Sequence, residues 1–200
     1  PFNRLFALDL DNRDFYQLTD VTGSATGGIG GMPRDSWENA ALVDTGETDH
    51  VALLLSPDGG SERMQMYIGE KGKGLDGSPS NDFLARNGLA YGSYYYLNDT
   101  LPASGTSTDG TFDTTTVDAL RSGKLEDVDT SPANPTQVAW GDQSGTTDAG
   151  LFTFDFSFDF GAETRDITGD DAFLTSIEIT EGETSTISFT FQVAGPVSAD

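Results

Sequence analysis

Apolar and polar positions alternate, or apolar positions gather in short runs, in a series of brief segments that turn residues separate. Residues 2–10 (FNRLFALDL), 51–56 (VALLLS), 64–69 (MQMYIG), 91–97 (YGSYYYL), 137–142 (QVAWGD), 151–160 (LFTFDFSFDF), 174–180 (LTSIEIT) and 184–193 (TSTISFTFQV) all read as strands. In 151–160 the pattern is strictest. Phe152, Phe154, Phe156, Phe158 and Phe160 share one face of a pleated strand, and Thr153, Asp155, Ser157 and Asp159 share the other. Helical spacing is confined to residues 115–122 (TTVDALRS). The Gly-rich stretches 23–31, 72–80 and 103–111 read as loops. The fold class this predicts is all-β, built of antiparallel sheets with little helix.

The segments also repeat. Glu38, the run from Val51 and the run from Met64 are echoed by Glu126, the run from Val138 and the run from Leu151, at offsets of 88, 87 and 87 positions. In each copy an acidic motif (Trp37-Glu38-Asn39; Leu125-Glu126-Asp127) precedes a turn-rich stretch, a strand, a loop and a second strand. Repeated antiparallel units in this order resemble propeller blades, and two copies make an incomplete ring. The expected division is residues 1–160 as propeller-like blades of a larger domain, and 161–200 as a further β hairpin. That hairpin is a last blade or the start of an accessory β module.

Charge narrows the partners. With 33 acidic and 10 basic residues the 200-residue chain carries a formal charge of −23. Phosphate backbones are bound by clustered Lys and Arg, so nucleic acid is excluded and metal ions are the expected partners. No apolar stretch is long enough to form a membrane-spanning helix. Dense acidity without cysteine suits a secreted protein, extracellular or periplasmic, because salt shortens the reach of self-repulsion to about 8 Å at 0.15 M. The chain opens on Pro1 and reads as a piece of something longer.

The absence of Cys removes thiolate nucleophiles and cysteine-held metals, and one histidine, His50, leaves little scope for imidazole chemistry. Carboxylates remain. Calcium takes six to eight oxygens from Asp, Glu, carbonyls and water, at about 2.3–2.6 Å, and the loops are rich in them. Residues 9–14, 142–148 and 166–171 each carry more than one carboxylate, but read as solvated acidic turns ahead of calcium loops. Glu38, Glu126 and Asp127 differ. They stand beside apolar residues at the start of strands, where a carboxylate needs a cation or a hydrogen-bond partner, so they are the candidate metal ligands. Lys71 and Lys73 in GEKGKG do not match the phosphate-cradling GxxxxGK[ST] loop. No residue stands out as catalytic.

The order of WENAALVDTG (37–46), the run 51–55, MYIGEK (66–71), FLARNGL (83–89), KLEDV (124–128) and the Pro132 to Pro135 turn resembles bacterial secreted proteins related to the PhoX-type alkaline phosphatases. The resemblance covers about residues 1–160. It implies a β propeller in which acids from several blades hold calcium and iron and hydrolyse phosphate monoesters. On this resemblance Glu38, Glu126 and Asp127 are similar to the family's metal-binding acids, Glu126 and Asp127 most closely. The family's iron is bound partly through a cysteine, which this chain lacks. Two functions are therefore expected: a fragment of a calcium-dependent phosphomonoesterase acting on phosphate esters, or a non-catalytic, calcium-stabilised extracellular structural or adhesion protein.

Overall fold

The structure, a computed structural model, describes residues 4–18, 37–57, 62–97, 107–114, 121–122, 124–142, 150–160 and 187–194. In chain order the elements are β1 (Phe6–Leu8), β2 (Phe15–Gln17), β3 (Trp37–Val43), β4 (His50–Pro57), β5 (Glu62–Arg63), β6 (Gln65–Glu70), α1 (Phe83–Arg86), β7 (Gly92–Leu97), β8 (Ser107–Asp113), β9 (Arg121–Ser122), β10 (Leu125–Thr130), β11 (Gln137–Asp142), β12 (Gly150–Phe158) and β13 (Ile187–Ala194). The protein is all-β and antiparallel, with one helical turn among the described residues. Nine strands form one sheet in the order β10-β11-β12-β13-β8-β7-β6-β4-β3; β1-β2 and β5-β9 are separate two-stranded pairs.

The two halves of the sequence repeat are the two ends of this sheet. β3-β4-β6 is the meander at one end and β10-β11-β12 the meander at the other. Their strands belong to one continuous sheet, not to separate four-stranded blades, because β13, β8 and β7 bridge them with main-chain hydrogen bonds.

The sheet coils around a single apolar core. Ala41 and Val43, Ala52 and Leu54, Met66 and Ile68, Tyr95 and Leu97, Phe112, Leu125 and Val128, Val138 and Trp140, and Phe152, Phe154 and Phe156 all join one cluster. The phenylalanine alternation is realised as the pattern predicts. Phe152, Phe154 and Phe156 are buried, Phe158 and Phe160 pack against the same cluster, and Thr153, Asp155 and Ser157 face outward. Successive rings stack, Phe154 on Phe156 at 5.5 Å and Phe158 on Phe160 at 5.9 Å. Each such side chain taken from water contributes about 1.5–3 kcal/mol.

A second layer covers the outside of β4 and β6. Leu5, Ala7 and Leu18 from the β1-β2 hairpin, with Leu84 and Leu89 around α1, pack on Leu53, Leu55 and Tyr67. β4 is therefore buried on both faces from Ala52 to Pro57, which is why its sequence is a continuous apolar run and not an alternation. The excursion between β6 and β7 folds back tightly: Gly88, at φ +70°, brings its carbonyl against Gly69, where a Cβ would collide with it. The Tyr67 hydroxyl donates to that carbonyl at 3.1 Å. Burial, with Glu70 nearby, pushes the Tyr67 phenol far above its ordinary range.

Some expectations fall differently. Residues 2–10 supply only the short β1 within the described region, and residues 107–111, read as loop, lie in β8. β3 and β10 were not expected as strands. Of the helix expected at 115–122, only residues 121–122 are described, and they are strand β9. The one helical turn is α1, capped by Asp82, whose carboxylate accepts from the Ala85 N–H at 2.9 Å. Residues 23–31 and 174–180 lie outside the described residues.

Hydrogen bonds from the Ala85 N–H and from Ser80 hold the Asp82 carboxyl below its usual range. A depressed carboxyl contributes stability above its unfolded pKa of about 3.9 and loses it as pH falls through the lower folded value. Asp82→Ala is expected to loosen α1 at neutral pH by about 0.5–1 kcal/mol. Amide exchange at Ala85 and Arg86 should speed up in this variant at pH 7, and the difference from the parent should shrink under acid.

Candidate functional site

Nine antiparallel strands leave the two edge strands running the same way, so coiling the sheet brings β3 and β10 together as parallel neighbours. No ladder joins them. Side chains do so instead. The Asn39 Nδ2 group donates to the Val128 carbonyl at 3.1 Å, and the Thr130 hydroxyl donates to the Leu42 carbonyl. At the far end the Asp44 N–H donates to the Pro135 carbonyl at 2.9 Å. Deeper in, the Trp140 indole N–H donates to Ser56 Oγ at 3.0 Å, and the Ser56 hydroxyl donates to the Glu126 carbonyl. Trp140 and Ser56 are both fully buried.

All three predicted metal ligands stand on this seam, each at a break in strand pairing. The β3-β4 register shifts between Trp37 and Asn39, leaving Glu38 as the extra residue. The β10-β11 register shifts between Leu125 and Val128, the stretch that contains Glu126 and Asp127. Bulges re-aim side chains and interrupt pairing at sheet edges, so the sequence folds here into two irregular edges that face each other.

Their surroundings are less like a metal cage. Glu38 and Asp127 are exposed and Glu126 is half-buried. The Glu126 carboxylate is ion-paired with Lys124. Asp127 Oδ1 faces Asn39 Nδ2 at 3.4 Å, so the asparagine turns its donor toward the acid, while its Oδ1 accepts from the Ala40 N–H at 2.7 Å. Among the described residues no three of His, Cys, Asp and Glu group closely enough to hold a metal ion. The donor set itself is all oxygen. That suits calcium chemically and does not suit iron held through nitrogen or sulfur.

Other candidates disperse. His50 opens β4 while Ser56 lies near its other end, about 20 Å away at the usual rise of a strand. Its Nδ1 meets Asp49 Oδ1 at 2.9 Å and its ring stacks on Phe160 at 4.0 Å. Lys71 Nζ donates to the Thr48 carbonyl at 3.1 Å, Lys73 pairs with Glu70, and Arg86 reaches Asp9 at 3.4 Å. The GEKGKG run is thus a self-satisfied turn. In 9–14, Asp9 and Asn12 accept from the backbone N–H groups of Asp11 and Asp14, which makes that segment an acidic turn. Residues 143–149 and 166–171 lie outside the described residues. An open groove of about 750 Å³ on β10-β11-β12 includes Asp129 and Asp155, but Asp155 is already held by Thr136 at 2.7 Å and by Gln137 at 3.1 Å.

Sequence reasoning missed Asn39, Ser56, Lys124 and Trp140 as seam residues. Ser56 carried the one usable signal, a lone hydroxyl at the end of an apolar run. Compared with known proteins, the chain matches no family model, no curated protein and no solved structure.

Ser56→Ala leaves the Trp140 N–H and the Glu126 carbonyl without their partner and is expected to cost about 1–3 kcal/mol, read from urea unfolding. Lys124→Gln removes the cation beside Glu126. Its cost, up to about 1 kcal/mol in dilute buffer, should fade in concentrated NaCl, and equal loss in both salts would contradict an electrostatic origin.

Proposed function

We propose that the chain is a non-catalytic structural or adhesion module of an extracellular protein, steadied by calcium at the β3-β10 seam. What carries this reading is the placement of Glu38, Glu126 and Asp127 on bulges of two facing edges that no ladder joins. A hard cation there would draw on those carboxylates, neighbouring carbonyls and water, with Lys124 giving up Glu126. Few protein carboxylates and several waters correspond to the weak calcium sites of extracellular modules, with Kd of about 10⁻⁴–10⁻³ M. A charge of −23 adds a general reason for cations to favour the compact state.

The order of sequence motifs favours a second reading, a fragment of a calcium-dependent phosphomonoesterase. It ranks lower because the polar groups beside the three acids are already engaged: Ser56 and Thr130 donate to the Glu126 and Leu42 carbonyls, and Lys124 pairs with Glu126. His50 is at the opposite end of β4.

Thermal unfolding in CaCl2, against NaCl at equal ionic strength, tests the first reading. At a hundredfold excess over Kd calcium should add about 2.7 kcal/mol, a midpoint rise of about 5–10 °C, and Glu126→Gln with Asp127→Asn should remove most of it. Identical midpoints in the two salts would sink the calcium role. Hydrolysis of p-nitrophenyl phosphate, lost in the same variants, would replace the structural reading with the enzymatic one.

A further inference from the structure

We propose that the outer face of the β1-β2 hairpin binds a second copy of this chain, in a weak two-fold dimer. Strand alternation gives the hairpin two faces, and both are apolar. Leu5, Ala7 and Leu18 turn inward onto the layer of Leu53, Leu55 and Tyr67, and Tyr16 stacks on Phe83 at 4.6 Å. Phe6, Leu8 and Phe15 occupy the other face, with Leu8 directly opposite Phe15, and are 53%, 42% and 71% exposed. Leu10, at the turn, is 80% exposed.

Strands that are apolar on both faces belong between two layers, and β4 of this protein is one, covered on each side. The hairpin is covered on one side only. Single exposed apolar residues are ordinary, whereas neighbouring ones that form a patch mark an interaction surface. This patch is also held in place. Asp9, buried beside the turn, is ion-paired with Arg86 at 3.4 Å, so the face is presented ready-formed and little ordering is needed when it docks.

Charge points to the partner. Two copies carrying −23 each repel wherever their acids meet, so they can touch only where the local charge is nearly balanced. Residues 4–18 meet that condition: two arginines stand against three aspartates, and Arg86 balances Asp9. The remaining charge is arranged along the hairpin. Arg4, bonded to Gln17, lies at the open end on the face of Phe6, while Asp11 and Asp14 outnumber Arg13 at the turn. A two-fold axis through the middle of the face places the Arg4 of each copy beside the acidic turn of the other. The contact uses none of the candidate calcium ligands and does not depend on them.

The test is analytical ultracentrifugation of the whole chain over a series of concentrations, without calcium and at constant ionic strength in NaCl. A monomer–dimer equilibrium is expected, with a Kd of about 10⁻⁵–10⁻³ M, the weak range that suits an interface well under about 1,200 Å². Phe6→Ser and Phe15→Ser should each weaken it by about tenfold or more, because every substitution acts twice in a two-fold contact. Arg4→Glu should weaken it by about threefold to tenfold, and adding Asp11→Arg and Asp14→Arg to that variant should restore it, since the exchanged charges meet between copies. Leu75→Ser, at an exposed leucine between β6 and β7, should associate as the parent does. Far-UV circular dichroism confirms that each variant is folded. A parent that stays monomeric up to about 1 mM, or a dimer that Phe6→Ser, Phe15→Ser and the charge exchange leave unchanged, overturns the proposal. So does a monomer that binds phosphatidylcholine vesicles through these phenylalanines, which would assign the face to lipid.

Discussion

The coiled sheet depends on a buried relay in which the Trp140 indole donates to Ser56 and Ser56 donates to the carbonyl of Glu126. An odd number of antiparallel strands cannot close on itself with the antiparallel ladder used everywhere else, because its first and last strands point the same way. The protein meets this constraint with side chains. Asn39, Ser56 and Thr130 each satisfy a carbonyl that a ladder would otherwise have taken, and each such bond is worth about 0.5–1.5 kcal/mol. Trp140 ties the seam to the core, so the closure and the packing of the interior are one cooperative unit.

Irregularity at the seam and its acidity have a common origin. Exposed strand edges invite pairing with other chains, and natural sheets discourage it with bulges, charges and covering elements. β3 and β10 use all three: each carries a bulge, the bulges carry Glu38, Glu126 and Asp127, and each edge covers the other. Protection of the edges and provision of oxygen ligands are thus compatible uses of the same residues.

The internal repeat was legible as an offset of 87 to 88 positions, and in the structure the same spacing recurs as contact. Asn39 lies against Asp127, and Leu42 against Thr130, each 88 positions apart. The offset alone could not say whether the two units were separate sheets or ends of one. That depended on β13, which pairs with both β12 and β8 and so links the second unit to the first. The ranges 51–56, 64–69 and 137–142 were readable because their apolar runs are bounded by turn residues, and each lies in or closely overlaps an observed strand. β8 escaped notice because Gly110 and its Ser, Thr and Asp neighbours have the composition of a loop, and only pairing with β13 makes them a strand.

What the sequence determined by itself was local: the all-β class, the inward face of β12, the turn chemistry and the three acids as an unusual group. These follow from side-chain period and from the cost of placing charge beside apolar neighbours. Which strands become edges, that the edges run parallel, and that Asn39 meets Asp127 and Val128 across a seam were decided only by the tertiary structure. Those outcomes depend on strand order and on the coiling of the whole sheet, and no short-range pattern encodes either.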